Sequence, residues 1–357
     1  REDAEYARYR TNSKIHSERT ADTESVSALC GKESMRILIT GITGRIGANL
    51  AARLVREGYD VRGLVWPRDP RAEKVAHLGV ELISGSITEM KDARKAADGM
   101  DAIYHLAAAF QGGGPFTEEE YFEINVRGTF NMLEAARHVD GLEHFCYAGT
   151  DAVYRKYVPG GISEPIKETM FVEPEGDYAL TKSLGEDLSL GYWRGHGVPV
   201  TVTRFTNVLG AGEILKFTQF YLSSMKSNPQ LTSLWTGEER LIILRDENGR
   251  PYKKHVADVR DIVGGCFAVL GKNAAIGEVI QLAAPSAFTW DEAIPRLSEA
   301  LGIPYVEADV SGTPTFYEFD LTRSRSLLQF EPEYHIIRMI DDAVRYDRGE
   351  DIGLLET

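Results

Sequence analysis

Two short stretches carry side chains whose types and spacing could do chemistry. In Tyr178-Ala179-Leu180-Thr181-Lys182 a tyrosine and a lysine stand at i and i+4 of a predicted helix start, which puts both on one helical face. A free tyrosine, with a pKa of about 10, is a poor base near neutral pH. A lysine ammonium beside it, with an oxidised nicotinamide above, favours the phenolate. Tyr178 could then take the proton of a substrate hydroxyl as hydride leaves, or return it in the reverse direction. The second stretch, Gly41-Ile42-Thr43-Gly44-Arg45-Ile46-Gly47, reads G-x-x-G-x-x-G, one residue different from the G-x-G-x-x-G dinucleotide fingerprint. Such glycines permit a tight turn and let a pyrophosphate approach the first amides of the next helix, where the dipole favours negative charge. Each pattern alone also occurs as plain structure; the order of the two along the chain is what gives them meaning.

The elements around them form a regular series. Arg36-Ile37-Leu38-Ile39-Thr40 is a short β-branched run and reads as a buried strand. Arg45 to Glu57 is an amphipathic helix closed by Gly58. Further strands are predicted over 60–65, 80–84, 102–106, 144–148 and 200–205, with helices over 90–97, 119–138 and 178–195 between them. Strands alternating with helices imply βαβ crossovers, an α/β class and a doubly wound parallel sheet. Beyond Arg204 the alternation loosens. Segments 241–245 and 252–256 flank Asn248-Gly249, a hairpin signal. A helix over 258–270, a strand over 278–282 that could rejoin the main sheet and a mainly helical tail from Thr289 come next. The expected layout is an extension over 1–34, a dinucleotide-binding domain over 35–208 joined by about 255–283, and a smaller, interwoven substrate-binding lobe from 209–254 and 284–357. Within the extension Thr11 to Ser34 offers little to bury, and a helix is expected only around Ala4 to Tyr9.

Bulk composition narrows the function classes. The 357 residues are 43% hydrophobic and 26% charged, an ordinary globular balance. Forty basic against 54 acidic residues leave a net charge of −14, a surface that repels a nucleic-acid backbone. There is no run of eighteen apolar residues, so no membrane span is expected, and Arg1-Glu2-Asp3 is too charged for a signal peptide. Cys30, Cys146 and Cys266 form no CxxC pair and read as reduced, mostly buried thiols of a cytoplasmic protein. The eight histidines show neither H-x-x-x-H nor H-x-H spacing, so no metal site is expected.

The motifs together resemble the extended short-chain dehydrogenase/reductase family, of the NAD-dependent epimerase/dehydratase type. The resemblance runs from about Met35 to Asp347 through Thr40–Gly47, His105-Leu106-Ala107-Ala108, Asn125-Val126-Arg127-Gly128-Thr129, Gly149–Tyr154, Tyr178–Lys182 and Arg204–Gly210. It implies a Rossmann fold, with Tyr178 as acid/base and Thr150 as the hydroxyl that hydrogen-bonds the reacting oxygen. Lys182 would bridge the nicotinamide ribose and tune Tyr178, and Asn125 would be catalytic or structural; His105 reads as a strand-end core residue. Cofactor contacts are expected from Gly41, Thr43, Gly44, Arg45, Ile46, Gly47, Arg68, Ser86, Ile87, Leu106, Ala107 and Ala108, as well as Tyr178 and Lys182. The second strand ends at Trp66, with Arg62, Arg68 and Arg71 nearby and no carboxylate between Val61 and Arg68, a pattern that leans to NADP over NAD. Helices 119–138 and 178–195 resemble those that pair in family homodimers.

Two departures bear on the reaction. Thr150-Asp151-Ala152 resembles the Thr-Asp-Glu of sugar-nucleotide dehydratases, but alanine replaces the glutamate, which disfavours dehydration by that route. In His255-Val256-Ala257-Asp258, Pro251 falls where many relatives carry a diphosphate-gripping arginine; Arg250, Lys253 or Lys254 could substitute. The expected function is therefore an epimerase or dehydrogenase acting on a sugar or nucleotide sugar. An NADPH-dependent ketone or aldehyde reductase is the alternative, and a non-catalytic dinucleotide sensor a third reading that the tyrosine–lysine pair argues against.

Overall fold

The computed structural model describes residues 34–110, 114 and 116–356; the extension with its expected helix, and Cys30, lie outside them. The chain enters through β1 (Arg36–Thr40), α1 (Arg45–Arg56), β2 (Asp60–Val65), a short α2 (Glu73–Ala76), β3 (Glu81–Ser84), α3 (Met90–Ala97) and β4 (Ala102–His105). Next come α4 (Glu118–Phe122), α5 (Gly128–Ala136), β5 (His144–Thr150), α6 (Gly176–His196), β6 (Val200–Phe205) and β7 (Asn207–Leu209). The second half holds β8 (Leu241–Asp246), β9 (Lys253–Lys254), β10 (Val256–Asp258), α7 (Val259–Val269), β11 (Val279–Leu282), β12 (Phe288–Thr289), α8 (Trp290–Leu301), β13 (Tyr305–Val310) and α9 (Ile336–Asp347).

Seven strands form one parallel sheet in the order β11-β6-β5-β4-β1-β2-β3. Its faces are set by simple alternation: Ile37 and Ile39 pack with Leu50, Leu54, Ile262 and Cys266 on the side of α1 and α7. Leu38, between them, packs with Ile103, Met132, Phe145 and Tyr147 on the side of α3, α5 and α6. Both faces are covered, which is why the strands read as continuous apolar runs. The chain thus has the doubly wound α/β fold expected, and β11 takes its place beside β6. A separate core gathers Leu222, Leu241–Leu244, Trp290, Leu297 and Ile340 around the second half.

The differences from expectation are local. The helix expected over 119–138 is interrupted by a π-type turn at Glu123–Arg127 and ends at Ala136. The tail beyond Thr289 is not purely helical, because β13 pairs in parallel with β8 over six residues. The Asn248-Gly249 turn does form, with Gly249 at φ +75° and its amide on the Asp246 carbonyl at 2.9 Å. The long ladder of β8, however, is with β13. Cys146 and Cys266 are free and buried.

Among the described residues three histidines are buried: His105, His144 and His255. Burial holds them neutral, moving their pKa from 6.5 down to about 3, about 4 and about 4 respectively. Depressed values mean that their contribution to stability is complete above pH 6.5 and is lost as the pH falls toward 4. Asp261 works in the opposite sense: burial pushes its carboxyl up to about 6, so its contribution is present below about 3.8 and lost as the pH rises through 6. Three groups outweigh one, so the calorimetric unfolding midpoint is expected to drop between neutral pH and about pH 4.5. A midpoint that stays level or rises on acidification contradicts this.

Candidate active site

Parallel strands β1 and β4 are neighbours, yet the chain leaves β1 toward one sheet edge and β4 toward the other, which opens a crevice at their C-terminal ends. Thr40 and His105 end level there. The glycine turn after β1 presses against the segment after β4. Gly41 has φ +73°, and a Cβ on it would lie 2.8 Å from the Ala107 amide nitrogen. A Cβ on Gly47 would lie 2.2 Å from the Gly41 carbonyl oxygen, so only glycine allows α1 to start this close. Gly44 is the N-cap of α1, with no side-chain cap and no acidic residue in the first turn. The amides of Arg45, Ile46 and Gly47 are thus presented to an outside anion, and the turn fits a dinucleotide pyrophosphate.

Several expected cofactor contacts look different in place. The Arg45 guanidinium turns toward the second half of the chain, onto the Val208 carbonyl and Glu213, both at 2.5 Å. Ile46 packs on the core. Ser86 bonds Thr88, and its amide is held by Asp92; the Ile87 side chain fills the space in front of Gly128, and its carbonyl accepts from Asn131. The backbone of Leu106 and Ala107 lies against Gly41, and Ala108 follows them.

The arginines that pointed to NADP are mostly engaged. Arg62 is tied to Glu81 and to the carbonyls of Ala96 and Asp98, and Arg71 forms a fork on Asp69. Arg68, exposed and at φ +65°, has no partner among the described residues. The lean to NADP therefore finds no support from Arg62 or Arg71. The carboxylate at this end of β2 is Asp69, which accepts from the Thr43 hydroxyl at 2.8 Å and is held at a pKa of about 2 by Arg71. It directly follows Arg68, about twenty residues after the glycine turn, the spacing at which an acidic residue meets the adenosine ribose of NAD.

A chain of buried hydrogen bonds joins the crevice to the helices. The Ala107 amide donates to Thr40 Oγ1 at 3.2 Å, and that hydroxyl lies 2.8 Å from His105 Nδ1. His105 Nε2 meets Thr129 Oγ1 at 3.1 Å, and Thr129 donates to the Asn125 carbonyl. Donor counting fixes the tautomer: Thr129 spends its hydrogen on Asn125, so Nε2 carries the imidazole proton and Nδ1 accepts from Thr40. The Asn125 side chain accepts from the Ala109 amide and donates to the Ala109 carbonyl and to Thr181 Oγ1. Asn125, expected as catalytic or structural, has its side-chain amide engaged inside the fold.

Thr150 closes β5, and its hydroxyl is near enough to Tyr178 on α6 to favour the phenolate. Tyr178 is half-buried, with the rings of Phe110 and Tyr121 edge-on at 5.9 and 6.4 Å. Burial pushes its phenol up to about 12. One turn on, Lys182 is buried with Nζ 4.3 Å above the Tyr147 ring, and burial moves it down to about 7, against the pull of Glu186. Glu186 is itself paired with buried Arg204 at 2.5 Å. Asp151, next to Thr150, pairs with Lys156 at 2.5 Å. Of the groups near Pro251, Arg250 is held by Asp246 and the Gly160 carbonyl, and Lys253 by Glu318 at 2.7 Å. His255 is locked between the Ala284 carbonyl and the Phe319 amide.

A Rossmann sheet with its glycine turn and a Tyr-x-x-x-Lys helix define a protein of the short-chain dehydrogenase/reductase type. More narrowly, a sequence profile of the NAD dependent epimerase/dehydratase family matches residues 37–283, and the chain belongs to that family. Among solved structures, a short-chain dehydrogenase/reductase superfamily protein from Agrobacterium tumefaciens with bound NAD is 30% identical, with a TM-score of 0.77 over 88% of this chain and 97% of that one. UDP-glucuronic acid 4-epimerase from Bacillus cereus shares the fold at 23% identity and a TM-score of 0.68, over 88% and 99% of the two chains. A Bacillus subtilis (strain 168) protein described as an uncharacterised UDP-glucose epimerase is 25% identical over 84% of this chain and 93% of its own length.

The glycine geometry yields a direct test. Gly47→Ala forces α1 away from Gly41, a clash of a kind that costs about 1–3 kcal/mol. NAD affinity measured by calorimetry is expected to fall about tenfold or more; unchanged affinity would show that the pyrophosphate does not sit on this turn.

Proposed function

We propose that the protein uses NAD to oxidise a carbinol carbon of a sugar or nucleotide sugar, either transiently for epimerisation or with net dehydrogenation. The observation that carries this reading is Thr150 at the C-terminal end of β5 near Tyr178, with Lys182 one helical turn further along α6, at the same edge of the parallel sheet as the glycine turn. Bound NAD supplies the hydride acceptor and, when oxidised, a positive charge near the pair. Tyr178 takes or returns the hydroxyl proton, and Thr150 aligns the reacting oxygen by hydrogen bonding. Lys182 holds the ribose and favours the phenolate when charged. Burial alone moves Tyr178 up and Lys182 down, so the protein by itself favours a neutral pair and charge separation awaits the cofactor.

NAD is favoured over NADP by the engagement of Arg62 and Arg71 and by Asp69 beside the glycine turn. The sugar substrate is supported by the named relatives, and dehydration is disfavoured by Ala152 and by the commitment of Asp151 to Lys156. Residues 209–254 and 284–357 serve in this reading as the substrate lobe. Exposed Phe122, Phe130, Leu180 and Leu184 on the helices of α4 to α6 support a homodimer through that face.

Two measurements test the assignment. Mass spectrometry of nucleotide released from the purified protein is expected to find NAD; NADP instead would overturn the cofactor choice. Tyr178→Phe is expected to lower kcat about 10²–10⁴-fold with NAD affinity little changed. A variant that turns over normally would remove Tyr178 from the chemistry.

A further inference from the structure

Lys254 on β9 is 5% exposed, yet no carboxylate among the described residues touches it. Among those residues its ammonium bonds only the Gln219 side-chain oxygen, at 2.9 Å, and lies 5.1 Å from the Phe217 ring centroid. An ammonium has three hydrogens to donate, and a buried one without an ion partner is costly. Its neighbour shows what a structural lysine looks like here: Lys253 is paired with Glu318 and stacked on Phe316.

The surroundings add to the excess of positive charge. Lys156, 6% exposed, is close enough to Lys254 to repel its proton, and the Asp151 charge reaches both lysines and Tyr178. Asp151, next to Thr150, is already paired with Lys156, which leaves the buried Lys254 ammonium without a carboxylate of its own among the described residues. Burial and Lys156 together bring Lys254 down to about 8, and an anion beside it would raise it again. Arg250 and Lys253 being engaged, Lys254 is the cation of this segment left to meet a ligand.

We propose that Lys254, backed by Lys156, anchors an anionic oxygen group of the substrate, a carboxylate or a phosphate ester, in the position now taken by the Gln219 amide oxygen. This rests on the sugar or nucleotide-sugar reading above and names the substrate class within it as acidic. The Gln219 side chain, on the segment between Phe217 and Tyr221, is a neutral acceptor that an anion displaces.

The test is calorimetric binding to the NAD-saturated protein of D-glucose, D-glucuronate, D-glucose 6-phosphate, UDP-glucose and UDP-glucuronate. Lys254→Met and the charge-keeping Lys254→Arg are compared with the unaltered protein, and NAD affinity reports that each variant is folded. Lys254→Met is expected to weaken the anionic ligands that bind by about tenfold and to leave glucose unaffected, while Lys254→Arg restores most of the loss. Loss confined to the glucuronyl compounds assigns the carboxylate; equal loss for UDP-glucose and UDP-glucuronate assigns the phosphate. Anionic ligands that bind equally well to Lys254→Met overturn the anchor. If NAD binds but none of the five sugars does, the sugar reading fails, and inorganic phosphate then decides the anchor. A rise in unfolding midpoint with phosphate over chloride at equal ionic strength, lost in Lys254→Met, supports it; no difference between the two proteins refutes it.

Discussion

The site depends on one run of buried hydrogen bonds, from the Ala107 amide through Thr40, His105, Thr129 and Asn125 to Thr181. It joins the end of β1, the end of β4, the π-type turn and the second turn of α6, elements that lie far apart in sequence. Each bond contributes only about 0.5–1.5 kcal/mol net, but leaving one buried partner unmet costs about 1–3 kcal/mol. The run is therefore held together more by the cost of breaking it than by the gain of any link. Its effect is geometric: the glycine turn, the segment behind it and the helix bearing Tyr178 are fixed relative to one another before any ligand arrives.

Electrostatics adds a second layer on the same helix. Lys182, Glu186 and Arg204 form a buried row in which only Glu186 is negative. Arg204 is further satisfied by the Tyr154 hydroxyl and the Glu168 carbonyl. Breaking such a pair is far more damaging than replacing it whole, so the row fixes where α6 sits on β6. The second ion-paired cluster, around Asp151 and Lys156, rests on Tyr317 and Phe319. There the sheet meets the later part of the chain, through the small core of Val153, Tyr154, Ile166 and Phe319.

Local pattern made much of this legible in the sequence. The run Arg36–Thr40, the glycines and the amphipathic helix after them carry their structure within about twenty residues, and Tyr178 and Lys182 need only a helix to meet. The features that stayed hidden were non-local. The strand Tyr305–Val310 has an ordinary alternating pattern with mostly exposed or half-buried side chains, and it is a strand because Leu241–Asp246 lies alongside. Whether an arginine is free for a phosphate depends on partners such as Glu81 or Asp69, which spacing does not reveal. Asn125 could be named from its motif, but its use inside the fold comes from Ala109 and Thr181 meeting it in space. The burial of Lys254 likewise comes from Gln219 and Phe217 closing over it.

The π-type turn at Glu123–Arg127 places one extra residue in a helix that otherwise keeps regular spacing. Each residue advances the helix by about 100°, so the insertion sets the phase between the turns before it and the turns after it. With it, Tyr121 faces inward toward Tyr178, Asn125 reaches Ala109, and Phe130 still emerges at the surface. A shortening of this turn by one residue would mend the helix and yet rotate its two halves out of step, so that the inner and outer faces could not both be kept. The irregularity acts as a phase adjuster, letting a single helix serve the site on one side and the surface on the other.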